Sequence, residues 1–134
     1  MYNNIKQLDS ENKIFTALMI ISFFILFTLP VQGEDAKVND LKKLYQNSCA
    51  KCHGPDGSAI DADGNKLKGK DFTDQKWLNE TKDEKMVKVI LDGKFFGLAM
   101  PAYKELLTQE EARLMVTEII RKSVKGKLIR PDSE

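Results

Sequence analysis

Apolar positions along this chain fall into three patterns, and each predicts a different kind of segment. The first is an unbroken run: residues 14–29 (IFTALMIISFFILFTL) are sixteen positions without a charge. That is short of the ~20 apolar residues a membrane-crossing helix needs. Pro30-Val31-Gln32-Gly33 follows, and the small residues Val31 and Gly33 suit signal-peptidase cleavage before Glu34. Lys6 and Lys13 give the start its positive charge, whereas Asp9 and Glu11 dilute it, so a retained anchor stays open as the alternative. Residues 1–33 are therefore expected to direct export of the rest of the chain.

The second pattern is helical. Residues 34–48 predict a helix with Asp40 available as a cap and Leu41, Leu44, Tyr45 and Ser48 at three- and four-residue spacings. A turn at 71–74 opens a short helix through Trp77 and Leu78. Residues 83–91 place Met86, Val87, Ile90 and Leu91 on one face, ended by Gly93. The clearest helix starts at the capping box Thr108-Gln109-Glu110-Glu111 and carries the stripe Ala112, Met115, Val116, Ile119 and Ile120. Arg121, Lys122 and Lys125 suit its negative C-terminal end. In the third pattern periodicity breaks down. Gly and Asp residues from Gly54 to Gly69 predict a long irregular loop, and residues 95–103 (FFGLAMPAY) are apolar but interrupted by Gly97 and Pro101, hence a loop too. No strand-like alternation appears. The expected fold is all-α, with three to five helices and long loops, in one domain over 34–126. Residues 127–134 are expected to be a flexible tail.

A net charge of +1 on 134 residues gives no reason to expect a nucleic-acid partner. The cysteine count changes the picture more. Both cysteines and the only histidine lie in Cys49-Ala50-Lys51-Cys52-His53. C-x-x-C-H is the attachment pattern for c-type haem: two thiols on one helical turn can each add to a haem vinyl group, and the adjacent imidazole reaches the iron. Zinc lacks enough ligands here. A redox dithiol would need a βαβ setting, and a disulfide across two residues would staple almost nothing. A buried haem would also supply apolar surface that so small a domain lacks. The loop segment Asp61-x-Asp63-Gly64-Asn65 begins like a calcium loop, but Lys66 stands where the glycine belongs and Phe72 where the bidentate glutamate belongs.

Haem iron takes a second axial partner, and Met100 is the candidate. It sits in a loop between Gly97 and Pro101, where the backbone can approach the haem face opposite His53, and Met/His is an established pairing. Met86 and Met115 fall on apolar helix faces and are expected to fill the core, as is Tyr45.

The order of helix, C-x-x-C-H-G, Gly/Asp-rich loop, short helices, Met-Pro loop and final helix resembles class I monohaem cytochromes c, over about residues 36–124. The anchors are Cys49, Cys52, His53, Gly54, Met100 and Pro101. The resemblance implies a small cytochrome c fold wrapped around one haem c, with thioether links to Cys49 and Cys52 and axial ligation by His53 and Met100. It implies that the Pro55 carbonyl receives the other ring N–H of His53. It also raises a haem-propionate contact for Trp77, which an ordinary core tryptophan explains equally well. The final helix has Glu118, Ile119 and Ile120 where many relatives place an aromatic, so aliphatics are expected to pack the crossing of first and last helices.

The implied function is single-electron transfer between Fe(III) and Fe(II) in the periplasm or another extracytoplasmic space, not enzymatic catalysis. Partners would be redox proteins with acidic docking surfaces, met by Lys66, Lys68, Lys70, Lys94 and Lys104. The protein is expected to be a monomer, touching a membrane only if its N-terminal segment is retained. Two alternatives stay open: a gas-binding haem sensor, and an electron-relay subunit of a larger redox enzyme.

Overall fold

Asp40 does not cap the first helix, because that helix begins earlier than its apolar spacing suggests. The computed structural model describes residues 32–132, all but the first of which fall in a unit that spans Gly33–Glu134. The apolar run at 14–29 lies outside the described residues. Helix α1 covers Gln32–Leu44, with Asp40 inside it and bonded to Lys43 Nζ at 3.0 Å. A π-helical turn, Tyr45–Cys49, and the short α2, Ala50–His53, continue it without a break. The C-x-x-C-H motif thus lies at the end of one long helical stretch, starting in the last residue of a widened turn of the kind that often marks functional sites.

The shorter helices owe their ends to side chains that sequence pattern alone identifies. Asp74 caps α3 (Gln75–Glu80) by accepting the Trp77 N–H at 3.1 Å. Helix α4 (Asp83–Asp92) buries Met86, Val87 and Ile90 and stops at Gly93. The capping box opens α5 (Gln109–Leu114) from both directions: Glu111 N–H donates to Thr108 Oγ1 at 3.2 Å, and Thr108 N–H donates to Glu111 Oε2 at 2.9 Å. A second π-helical turn, Met115–Ile120, extends α5, and Ala112, Met115, Val116, Ile119 and Ile120 are all buried. Among the described residues there are four helical stretches and no strand, only isolated bridges at Ile60–Lys66 and Lys94–Met100. The chain is all-α with long connecting loops, as its periodicity predicts.

Packing follows the apolar stripes. Helix α4 rests on α5 and on the π-helical turn after it. Leu41 and Tyr45 from the first stretch share one core with Val116, Ile119, Ile120, Tyr103 and Leu107. Burying each such side chain contributes roughly 1.5–3 kcal/mol. Arg121, at the far end of the last helix, ties three elements together. Its Nε donates to Asp83 Oδ1 at 2.8 Å and its Nη2 to the Thr81 carbonyl at 2.6 Å, while Nη1 reaches the Leu78 carbonyl. These bonds fasten the C-terminal end of α3, where the Leu78 carbonyl also accepts the Thr81 N–H at 3.3 Å.

The C-terminal segment departs from expectation over residues 127–132. It lies against the body instead of trailing free. Ile129 is buried in the core, and its N–H donates to the Pro55 carbonyl at 2.9 Å. Asp132 pairs with Lys42 at 2.7 Å and its N–H donates to Asn39 Oδ1 at 3.1 Å. A single buried isoleucine in a segment without periodicity leaves no helical or strand pattern to read.

Candidate functional site

Cys49 and Cys52 stand three positions apart across the junction of the π-helical turn and α2, both half-buried and both free thiols. Burial pushes the Cys49 thiol up to about 11, against the pull of Lys51. Before a thioether forms it is therefore a protonated thiol at neutral pH, unlike the low-pKa cysteine of a redox dithiol.

His53 is held by the loop that follows it. Its Nδ1 lies 2.9 Å from the Lys70 carbonyl. A carbonyl only accepts, so Nδ1 carries the hydrogen and Nε2 keeps its lone pair for a metal. Burial holds the imidazole below its ordinary range; the Lys70 carbonyl opposes this and the Lys94 charge reinforces it. The ring is therefore neutral at neutral pH. The expected partner was Pro55, but the Pro55 carbonyl instead accepts the Ile129 N–H. Lys70 takes the role because Gly69 lets the loop lie directly on the motif. Gly69 N–H donates to the Cys52 carbonyl at 2.8 Å, and a β-carbon there would sit 2.2 Å from that oxygen. Phe72 stacks on the imidazole with ring centroids 4.3 Å apart and planes within 13°. Trp77 packs in turn on Phe72 at 6.0 Å, with Lys70 Nζ 5.1 Å from its centroid.

The rest of this loop is tied at several points. Ala59 N–H donates to the His53 carbonyl at 2.7 Å. The buried Asp56 carboxylate accepts from Ser58 N–H at 2.9 Å, Ser58 Oγ at 2.6 Å and Gly126 N–H at 2.7 Å. Burial alone would raise this carboxyl, but those donors outweigh it and hold it below the usual range. The fully buried Tyr45 donates its hydroxyl to the Gly54 carbonyl at 3.0 Å; burial pushes its ionisation upward, so it is a structural phenol.

Met100 approaches from a different loop. Residues 94–100 close on themselves through Lys94 N–H to the Met100 carbonyl at 2.9 Å and Gly97 N–H to the Lys94 carbonyl at 3.1 Å. Cys49, His53 and Met100 line one cleft, completed by residues such as Phe72, Ile90, Tyr103 and Met115. Cys52 does not line it. Met115 does, but from a helix face where it is 2 % exposed and part of the core. The Cys49 thiol, an imidazole with a free Nε2 and a thioether around an apolar cleft, with Cys52 beside them in the motif, form a donor set that fits haem c.

Residues 36–117 match the family described as cytochrome c oxidase, cbb3-type, subunit III. The chain belongs to this family. As a monohaem c-type cytochrome it carries covalent haem c, and Cys49 and Cys52 stand in the pattern such attachment uses. Electron transfer is the function its family performs. Among solved structures the cytochrome is similar to KustC0563 c-type cytochrome, at 31% identity, 63% of this chain, 96% of that chain and a TM-score of 0.49. No curated protein matches it. No helix among the described residues of the cytochrome is long and apolar enough to cross a membrane.

Sequence reasoning missed Gly69 and Lys70 as the pair that positions His53. The available signal was a glycine in a lysine-rich loop, and a backbone acceptor gives no side-chain clue.

Proposed function

We propose that this cytochrome is an extracytoplasmic single-electron carrier in which Cys49 and Cys52 bind the haem and His53 and Met100 are its axial ligands. When bound, the haem supplies one-electron cycling between Fe(III) and Fe(II). The chain's residues do the rest. His53 offers Nε2 in an orientation fixed by Lys70, Met100 offers a soft neutral thioether that favours the reduced state, and the apolar wall keeps water out. The observation that carries the reading is that Met100 and His53 line the same cleft. With both axial positions filled by side chains, none is left for a substrate or a gas. Carbon monoxide should therefore leave the spectrum of the reduced protein unchanged at neutral pH and shift that of Met100→Ala. A shift in the parent protein would favour a sensor.

Export through residues 1–33 is part of the same reading, since thioether attachment takes place outside the cytoplasm in bacteria. Mass spectrometry of the mature protein should find a chain starting at Glu34 plus one haem; a chain still carrying residues 14–29 would mean a retained anchor. Lys66, Lys68, Lys70, Lys94 and Lys104 are all exposed, which supports partners with acidic surfaces. Electron transfer to such partners should slow as ionic strength rises. The family's description favours a second reading, a relay subunit bound to an oxidase. Co-migration with a terminal oxidase on native gels would support it, and migration as a free monomer would not.

A further inference from the structure

The loop that carries Met100 also carries the most exposed aromatic side chain of the described residues. Phe95 is 76%, Phe96 107% and Leu98 91% exposed, although soluble proteins seldom leave neighbouring large apolar groups uncovered. Phe95 and Phe96 both hold left-handed backbone, at φ 50° and 57°, in a loop fastened by the Lys94–Met100 bridge. Strain of this kind persists only where surrounding structure imposes it, and it gathers at functional sites. Here it accompanies an apolar tip with Met100 at its base. The basic side chains flanking the tip are Lys94 and Lys104, both exposed and neither in an ion pair among the described residues, with the exposed Glu105 following Lys104. The nearby acid Asp92 is already engaged by Lys88 at 2.6 Å.

We propose that Phe95, Phe96 and Leu98 form a docking tip for a redox protein that presents an apolar recess rimmed by carboxylates. The charge pattern selects the occupant. The aromatic rings fill the recess, the two lysines meet its acidic rim, and a partner seated there lies against the loop that lines the haem cleft. A redox protein is favoured over a lipid surface because the tip adjoins the residue through which the site is closed. The inference rests on the electron-carrier reading above. It adds which face exchanges the electron and what chemistry the partner must have.

The test uses the haem-loaded protein on gold electrodes coated with alkanethiols of one length, ending in carboxylates alone or in mixed carboxylates and methyls. The parent should exchange electrons about tenfold faster on the mixed layer, the change expected from one buried aromatic contact. Phe95→Ser/Phe96→Ser should lose that gain, and Lys104→Gln should weaken the salt dependence on both layers. Equal rates for parent and double variant on the mixed layer would overturn the docking tip. Reduction by ascorbate in free solution separates the two claims. If the parent cannot be reversibly reduced there, the carrier reading fails; if parent and variant both can, equal electrode rates defeat the tip alone. Sedimentation with phosphatidylglycerol vesicles that disappears in the double variant would assign the tip to a membrane and overturn the protein partner.

Discussion

The loop after His53 and the loop before Met100 reach the same cleft but are built on different principles. Residues 54–72 are fastened to the rest of the molecule. Gly69 and Lys70 grip the motif helix, Asp56 joins the C-terminal segment, and Phe72 stacks on the imidazole. Residues 94–100 are fastened mainly to themselves, with their apolar side chains facing solvent and two phenylalanines in left-handed backbone. The histidine is held by the Lys70 carbonyl and the Phe72 ring, both on a loop that Gly69 seats against the motif. The methionine depends on the internal geometry of one short loop. On the proposed reading, attachment and ligand identity are therefore separable: one loop would hold the cofactor and the other would select its behaviour.

The largest effect that would expose this asymmetry comes from Gly69→Ala. The added β-carbon meets the Cys52 carbonyl oxygen at 2.2 Å and His53 Nδ1 at 2.8 Å, so the loop must leave the motif helix. Overpacking of this kind costs about 3 kcal/mol at the upper end of its usual range. Haem-stained gels should show a sharp fall in loaded protein, and a normal yield with unchanged melting would show that the grip is not needed. Asp56→Ala should follow, at about 2 kcal/mol, since buried donors on Ser58 and Gly126 lose their acceptor. This effect carries a pH signature. The folded carboxyl titrates lower than the unfolded one, so its contribution is complete above the ordinary carboxylate range, near pH ~4, and fades as pH falls through the lowered native value. Chemical denaturation across that acid window should show the parent converging on the variant; a constant gap would remove Asp56 from the account.

Changes in the Met100 loop should be milder and of either sign. Gly97 has φ 86° and nothing within 4 Å of an added β-carbon, so Gly97→Ala meets backbone strain alone, about 1 kcal/mol. Phe96→Gly should do the reverse and stabilise by roughly 0.5 kcal/mol. It relieves a left-handed phenylalanine, and the greater freedom of glycine in the unfolded chain offsets part of the gain. Thermal melts check both, and a Phe96→Gly protein that melts lower than its parent would show that the exposed ring packs on something.

What the sequence disclosed and what it withheld divide along the same line. Side-chain patterns were legible: the Thr108–Glu111 box, the stripe from Ala112 to Ile120 and the Asp74 turn all stand where spacing placed them. The C-x-x-C-H motif named the cofactor because thiols and imidazole are rare and positioned by chemistry. Contacts made by backbone atoms were not legible. The Lys70 carbonyl that holds His53, and the Pro55 carbonyl that holds Ile129 instead, carry no residue-type signature. Asp40 misled for a related reason: a good capping residue also serves inside a helix when it can pair with Lys43.

On the proposed reading, Met100 closes the cleft opposite His53. Its most direct test is the visible spectrum of the oxidised, haem-loaded protein, where Fe(III)–thioether bonding gives a weak band near the red edge. The parent and Met115→Leu should show this band, and Met100→Ala should lack it while keeping its haem covalently attached. A parent without the band, or a Met100→Ala protein that retains it, would contradict the assignment.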